Sequence, residues 1–327
     1  MAKPRVYVTR EIPSRGLDII KERFDAEIWP EYAPPPKEQI VRKATEVDAL
    51  VTILSDQIDS AVFSAGTKLK IVSQFAVGYN NIDVQEATKK GIYVTNTPGV
   101  LTETTADFAW ALLMAVARRV VEADKYVRMG KWKVGWHPTM LQGRDVYGST
   151  LGVVGLGRIG EAIARRAKGF QMKLLYSDVS RRKDLEDKLG IEYVDLDTLL
   201  QKADFVTVHV PLLKDTFHLI DEGKLKQMKK TSILINNARG PVIDEKALFT
   251  ALKEGWIAGA GLDVFEEEPT PQQNPLLTLE NVVVAPHISS SSHQTRSRMA
   301  AMVAENLVAF FEGRIPPNLV NKDVKVK

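Results

Sequence analysis

Arg239, Glu268 and His287 have the residue types needed for acid–base work on a carbonyl group. A His that titrates near neutrality can supply a proton, and a carboxylate can hold its tautomer. An Arg fork can polarise an oxygen and bind a carboxylate. Arg239 and Glu268 are 29 residues apart, and Glu268 and His287 are 19 apart. Taken singly, each has a plainer reading, the first two as surface charges and His287 as a capped residue before a helix. Together they fit a carbonyl that accepts hydride and needs a proton donor and a cation near its oxygen.

The hydride source is written elsewhere in the chain. The apolar run Thr150-Leu151-Gly152-Val153-Val154 enters the turn Gly155-Leu156-Gly157-Arg158-Ile159-Gly160, and Ile159, Ile163 and Ala167 then recur with helical spacing. In such a strand, turn and helix, Gly155 permits the tight turn, Gly157 lets the backbone approach a pyrophosphate and Gly160 lets the helix pack closely. The helix N-terminus offers N–H groups to the phosphates. Lys173-Leu174-Leu175-Tyr176-Ser177 reads as the next strand. Asp178 follows it, 18 residues after Gly160, where a carboxylate accepts from adenosine ribose hydroxyls. Asp178 favours NAD(H) by repelling a 2′-phosphate, whereas Arg181-Arg182-Lys183 could neutralise one, which leaves NADP(H) as the second cofactor.

These residues need elements that bring them together. Strand-like runs at 204–210, 232–236, 259–264 and 281–285 alternate with helical stretches, and Arg239, Glu268 and His287 fall at or just beyond the ends of three of them. In a parallel sheet those ends line one crevice. Residues 5 to about 100 show the same alternation, with strands at Arg5–Thr9, Ala49–Leu54 and Lys70–Gln74 and a helix from Gly16 to Arg23. The fold class is therefore α/β, with two doubly wound, Rossmann-like parallel-sheet domains, the second inserted into the first. The expected first domain is 1–101 plus 290–327, and the expected NAD-binding domain is 102–289. One long helix is expected from Thr102 through Val120, crossing from one domain to the other. A second, from Gln294 to Gly313, is expected to return to the first domain. The polar loop Phe75 to Asp83 follows a strand, at the edge where such folds keep ligands. Gly130 to Pro138 lacks periodicity, and Trp132 and Trp136 there suggest an interface.

Composition excludes several classes. A chain of 327 residues, 44% apolar and 26% charged, suits compact α/β domains. The net charge of +3, with signs interspersed, gives no reason to expect nucleic acid. The longest apolar run, Phe108 to Ala117, is too short for a membrane span. No signal-peptide pattern precedes the first strand, so a cytoplasmic protein is expected. With no cysteine, disulfides and thiolate chemistry are excluded, and no metal is expected.

The stretches Gly155–Gly160, Asn237-Ala238-Arg239-Gly240, Gly261 to Pro269 and Pro286-His287-Ile288 together resemble the D-isomer-specific 2-hydroxyacid dehydrogenases over nearly the whole chain. Within that family, Trp132 to Pro138 and Lys253 to Phe265 are similar to archaeal-type glyoxylate reductases. The resemblance implies reduction of a small 2-keto acid, glyoxylate to glycolate or hydroxypyruvate to glycerate, with an Arg–Glu–His set at Arg239, Glu268 and His287. It implies carboxylate binding by the N–H groups of Val77 and Gly78, with Leu54 also at the substrate. Further cofactor contacts are expected at Val210, Pro211, Thr216, Asn237, Ala238 and Asp263. A homodimer is implied, built around the cofactor domain, its tryptophan loop reaching the neighbouring subunit. Same-fold alternatives are dehydrogenases of phosphite, formate or bulkier 2-keto acids, and Glu268 argues against formate. A nucleotide-sensing corepressor is the alternative from another class. The chain departs from the family pattern at Ser289-Ser290-Ser291-Ser292, where Gly-Ser-Ala-Thr is common. A left-handed backbone at Ser289 would be costly. The absence of a C-terminal regulatory extension counts against the longer phosphoglycerate dehydrogenases.

Overall fold

A computed structural model describes residues 2–325. The chain forms two compact units. One comprises the residues up to Leu101 and those from Ser291 onward, and the other comprises Thr102–Ser290.

In the first unit, β1 (Arg5–Val8), α1 (Ser14–Arg23), β2 (Asp25–Ile28), α2 (Lys37–Ala44), β3 (Ala49–Thr52), α3 (Ser60–Ala65), β4 (Ile71–Gln74), α4 (Val84–Lys89) and β5 (Tyr93–Thr95) alternate. The sheet is wholly parallel, in the order β2-β1-β3-β4-β5. Every residue of β3 and β4 is buried, which suits central strands covered on both faces. Two strands of this sheet were not anticipated from the sequence, β2 and β5. Asp25–Ile28 alternates exposed with half-buried residues at the sheet edge and carries no apolar run, and Tyr93–Thr95 is only three residues long.

The second unit begins with α5 (Thr102–Ala117) and α6 (Val120–Arg128), where one helix was expected through Val120. The break has a tertiary cause. The Ala117 carbonyl accepts the Arg144 N–H at 2.8 Å, and Arg119 turns left-handed, its guanidinium donating to both Glu122 oxygens. The chain then runs through β6 (Thr150–Val154), α7 (Arg158–Ala167), β7 (Lys173–Ser177), α8 (Lys183–Leu189), β8 (Ile191–Tyr193), α9 (Leu196–Lys202) and β9 (Phe205–Val208). It continues through α10 (Glu222–Gln227), β10 (Ile233–Asn236), α11 (Glu245–Lys253), β11 (Gly259–Leu262) and β12 (Val282–Val284). The seven parallel strands lie in the order β12-β11-β10-β9-β6-β7-β8, so the winding direction reverses between β6 and β9. Leu151, Val153 and Ile163 pack with α5 on one face of the sheet, and Val154, Val206, Leu234 and Leu252 form the core on the other. The Asp221 and Asp244 side chains cap α10 and α11 by accepting from Lys224 and Ala247 N–H groups.

The last helix, α12 (His293–Phe311), belongs to the first unit, where Phe311 packs on Phe24 beside α1. Among the described residues, no helix is long and apolar enough to cross a membrane.

Candidate active site

The glycine turn after β6 has the geometry that a dinucleotide needs. Gly155 adopts φ +94, and a side chain there would collide with the backbone of His209. At Gly160 a Cβ would lie 2.2 Å from the Gly155 carbonyl, so only glycine lets α7 seat against the strand. The space before Gly157 is open to a ligand. The first ladder bond of α7 runs from Glu161 N–H to the Gly157 carbonyl. The N–H groups of Arg158, Ile159 and Gly160 therefore precede the ladder and suit a pyrophosphate. The residues present fit a bound dinucleotide.

Asp178 stands at the end of β7. Its carboxylate accepts from Leu156 N–H at 2.7 Å and from Ser180 N–H at 3.0 Å, which fixes it beside the glycine turn. The nearby cations are occupied: Arg181 makes a bidentate pair with Glu186, and Arg182 makes one with Asp184. On the far side of the switch point, Thr216 closes the turn after Val210 and Pro211 by donating to the Pro211 carbonyl at 2.6 Å.

Arg239, Glu268 and His287 follow β10, β11 and β12. The His287 ring meets Glu268, Nδ1 to Oε2, at 2.7 Å, and the other Glu268 oxygen accepts the Phe265 N–H at 3.0 Å. Burial alone would raise the Glu268 carboxyl. The hydrogen bond and charge of His287, the Phe265 N–H and the Arg239 charge outweigh burial and hold it below the usual carboxylate range. An ionised Glu268 only accepts, so His287 Nδ1 carries the hydrogen in this pair and Nε2 stands outside it. Burial lowers the Arg239 guanidinium from its ordinary value and the Glu268 charge opposes that, so the site keeps a cation in a partly desolvated place.

His287 holds an uncommon backbone, φ +55, which costs about 1–3 kcal/mol for a residue other than glycine. Asp263 holds it there. This fully buried residue accepts the His287 N–H through its carbonyl, and its carboxylate accepts Ile288 N–H at 2.7 Å and Ser289 N–H at 2.8 Å. Hydrogen bonds to a charged group contribute about 1.5–3 kcal/mol each, enough to offset the strain. Asp263, expected at the cofactor, thus has both carboxylate oxygens engaged by the loop that carries His287. Ser289 is buried and avoids the left-handed region, so the expected cost of replacing glycine there does not arise.

Some positioning residues were not anticipated. Asn236 donates to the Arg239 carbonyl and accepts from Ala238 N–H, which shapes the turn that presents Arg239. Asn237 is buried and donates to Thr105. Two residues before Glu268, Glu266 pairs with His218 Nε2 at 2.8 Å, and the carboxylates of Glu266 and Glu245 each accept the other residue's backbone N–H. His218, Asp244 and Glu266 also gather ligand atoms within 4.8 Å of one another; the Asp244 side chain already caps α11, and the Glu266 carboxylate accepts from the Glu245 N–H. No sequence spacing announces these contacts, because they join separate loops.

In the first unit, Leu54 lies after β3, and Val77 and Gly78 lie in the loop after β4. Trp132 and Trp136 are exposed on the chain, at 52% and 77%, in an irregular segment after α6.

Residues 110–289 match the family model for the NAD binding domain of D-isomer specific 2-hydroxyacid dehydrogenase. The chain is 66% identical over 322 residues to a glyoxylate reductase of Korarchaeum cryptofilum, covering 98% of this chain and 97% of that one. Among solved structures it is similar to a Thermus thermophilus protein at 44% identity with a TM-score of 0.91, covering 97% of this chain and 99% of that one. It is also similar to an NADPH-dependent glyoxylate/hydroxypyruvate reductase of Sinorhizobium meliloti, solved with NADP and malonate, at 34% identity and a TM-score of 0.89, covering 100% and 99% of the two chains.

Proposed function

We propose that this chain, which belongs to the D-isomer specific 2-hydroxyacid dehydrogenase family and carries its NAD-binding domain, reduces glyoxylate to glycolate, with hydroxypyruvate as a second substrate. The observation that carries the reading is the 2.7 Å pair of His287 and Glu268 at the strand ends of a dinucleotide fold. A reduced dinucleotide held by the glycine turn, the start of α7 and Asp178 would supply the hydride for the carbonyl carbon. His287 Nε2 gives a proton to the carbonyl oxygen, and Glu268, ionised, steadies the imidazolium and its tautomer. Arg239 stabilises the negative charge that develops on that oxygen. The N–H groups of Val77 and Gly78 take the substrate carboxylate, with Leu54 beside it. Oxidation of cofactor against a panel of 2-keto acids tests the reading. The highest kcat/KM is expected for glyoxylate, and a clear preference for a bulky 2-keto acid would overturn it.

The cofactor of choice is NADH, because Asp178 is fixed at its strand end while Arg181 and Arg182 are already paired with carboxylates. The working form is a homodimer. Val127, Met129, Trp132, Val134 and Trp136 are all more than half exposed on one continuous segment, an amount of apolar surface that marks an interface. Light scattering at micromolar concentration is expected to give the dimer mass, and a monomer would refute this.

A further inference from the structure

The loop after β4 is tied down through its carbonyls. The Ala76 carbonyl accepts the Thr97 N–H at 2.9 Å, and the Val77 carbonyl accepts Asn96 Nδ2 at 2.8 Å. In a trans peptide the carbonyl and the following N–H point to opposite sides of one rigid plane. Holding the Ala76 carbonyl therefore aims the Val77 N–H away from β5, and holding the Val77 carbonyl aims the Gly78 N–H the same way. Among the described residues neither of these two N–H groups makes a hydrogen bond, and both residues are only half-buried. Adjacent N–H groups aimed one way make a concavity for an anion.

Asn96 is itself anchored. Its N–H donates to the Asn318 carbonyl, and its own carbonyl accepts from the fully buried Asn306, which also accepts from Asn318. A parallel network steadies the start of the loop. The Gln74 amide accepts from Thr52 and donates to Asn81, and Asn81 donates to the Ile53 and Asp56 carbonyls. All these amides are neutral, so they orient backbone groups without placing a negative charge beside the anion.

We propose that Asn96 is a positioning residue for the substrate carboxylate: its side-chain amide holds the Val77 carbonyl and so aims the Gly78 N–H. The inference rests on the reading above that Val77 and Gly78 bind the carboxylate. Asn96→Asp keeps the shape and loses the donor when ionised. In the full-length enzyme with NADH and glyoxylate in alkaline buffer, KM is expected to rise about tenfold or more, the cost of misaiming one hydrogen bond to a charged ligand. The kcat and the NADH dissociation constant stay near wild type. Mild acid, which protonates the new carboxyl and restores a donor, brings KM back toward the wild-type value at the same pH. Asn96→Ala gives the same rise without recovery in acid. An unchanged KM in both variants overturns the proposal. So does a parallel fall of kcat and melting temperature with no recovery in acid, which marks a purely structural role. Gly78→Pro, which deletes the N–H itself, separates the two layers. If it leaves KM for glyoxylate unchanged, the carboxylate reading fails; if it raises KM while Asn96→Asp does not, only the positioning role fails.

Discussion

The loops that carry Asp178, Glu268 and His287 in one unit and the loop after β4 in the other are steadied by different chemistry. In Thr102–Ser290 the clamps on those three loops are carboxylates: Asp263 on Ile288 and Ser289, Glu268 on Phe265 and His287, Asp178 on Leu156 and Ser180. In the other unit, the loop after β4 is held by the amides of Asn96, Gln74 and Asn81. On the function proposed above, the difference follows from what each loop has to present. A side chain that carries a proton or a positive charge gains from a nearby carboxylate, whereas a backbone N–H offered to an anion loses from one, because the two negative charges repel. Sensitivity of turnover to pH should therefore arise in the second unit, and sensitivity to substrate concentration in the first.

The strongest way to break this division is His287→Asn. Loss of the proton donor is expected to lower kcat on the order of a hundredfold to ten-thousandfold, with NADH binding nearly unchanged by fluorescence titration. A variant whose only defect is a raised KM would put the imidazole on the binding side of the comparison and sink the assignment.

Stability sharpens the contrast next, through one titratable group in each unit. His209 is half-buried beside Thr207, and desolvation pushes it down to about 3. The folded state refuses a proton that the unfolded chain accepts below about 6.5. The neutral His209 is thus harmless above that pH, and stability falls as pH drops from there toward about 3, by up to about 1.4 kcal/mol per pH unit. Asp56 has the opposite sign. Burial raises it, against the bonds from Thr9 and Ile53 and the Arg10 charge, so its stability contribution is full below the ordinary Asp value and is lost as pH rises through the raised one. Denaturant midpoints across pH should show His209→Gln flattening the acid limb and Asp56→Asn reducing the loss on raising pH. Identical slopes in variants and wild type would remove both groups from the account.

Glu268→Gln is expected to act more gently. The glutamine can still accept from Nδ1, so the tautomer is kept, but the negative charge that favours the imidazolium is gone. The alkaline limb of the reduction profile should move to lower pH, with kcat at its optimum reduced far less than in His287→Asn. An unmoved profile would mean that Glu268 acts only as a spacer.

The sequence made the parallel sheets legible because doubly covered strands such as Leu151–Val154 and Ile233–Ile235 are apolar runs bounded by turns. The glycine turn, Asp178 and the three candidate catalytic residues were legible because each needs a particular residue type at a strand end. Edge strand β2, with its polar alternation, was not. Nor was the break after Ala117, which depends on an N–H from Arg144, nor the amide clamps, since Asn and Gln serve many surface roles and carry no spacing that marks a partner. Asp263 shows the middle case: its position stood out in the sequence, and its two bonds to the His287 loop needed the fold.

Asp178 is where the two kinds of clamp coincide, and it gives the smallest and most discriminating effect. Its carboxylate fixes backbone N–H groups, where the amides of the first unit fix carbonyls, and on the cofactor reading proposed above it is also a charge that a 2′-phosphate would have to face. Asp178→Asn removes the charge and keeps one acceptor, while Asp178→Ser removes both the charge and most of the reach. If the charge decides cofactor choice, both variants shift the ratio of specificity constants toward NADPH by a similar factor, roughly tenfold, the equivalent of about 1.4 kcal/mol. The gain is limited because Arg181 and Arg182 must leave Glu186 and Asp184 before either can meet a phosphate. If the clamp decides, Asp178→Asn stays near wild type and Asp178→Ser weakens both cofactors alike, because the Leu156 N–H and the glycine turn lose their anchor. Specificity constants for NADH and NADPH with the three proteins separate these outcomes, and a wild type that prefers NADPH would show that Asp178 does not select the ribose.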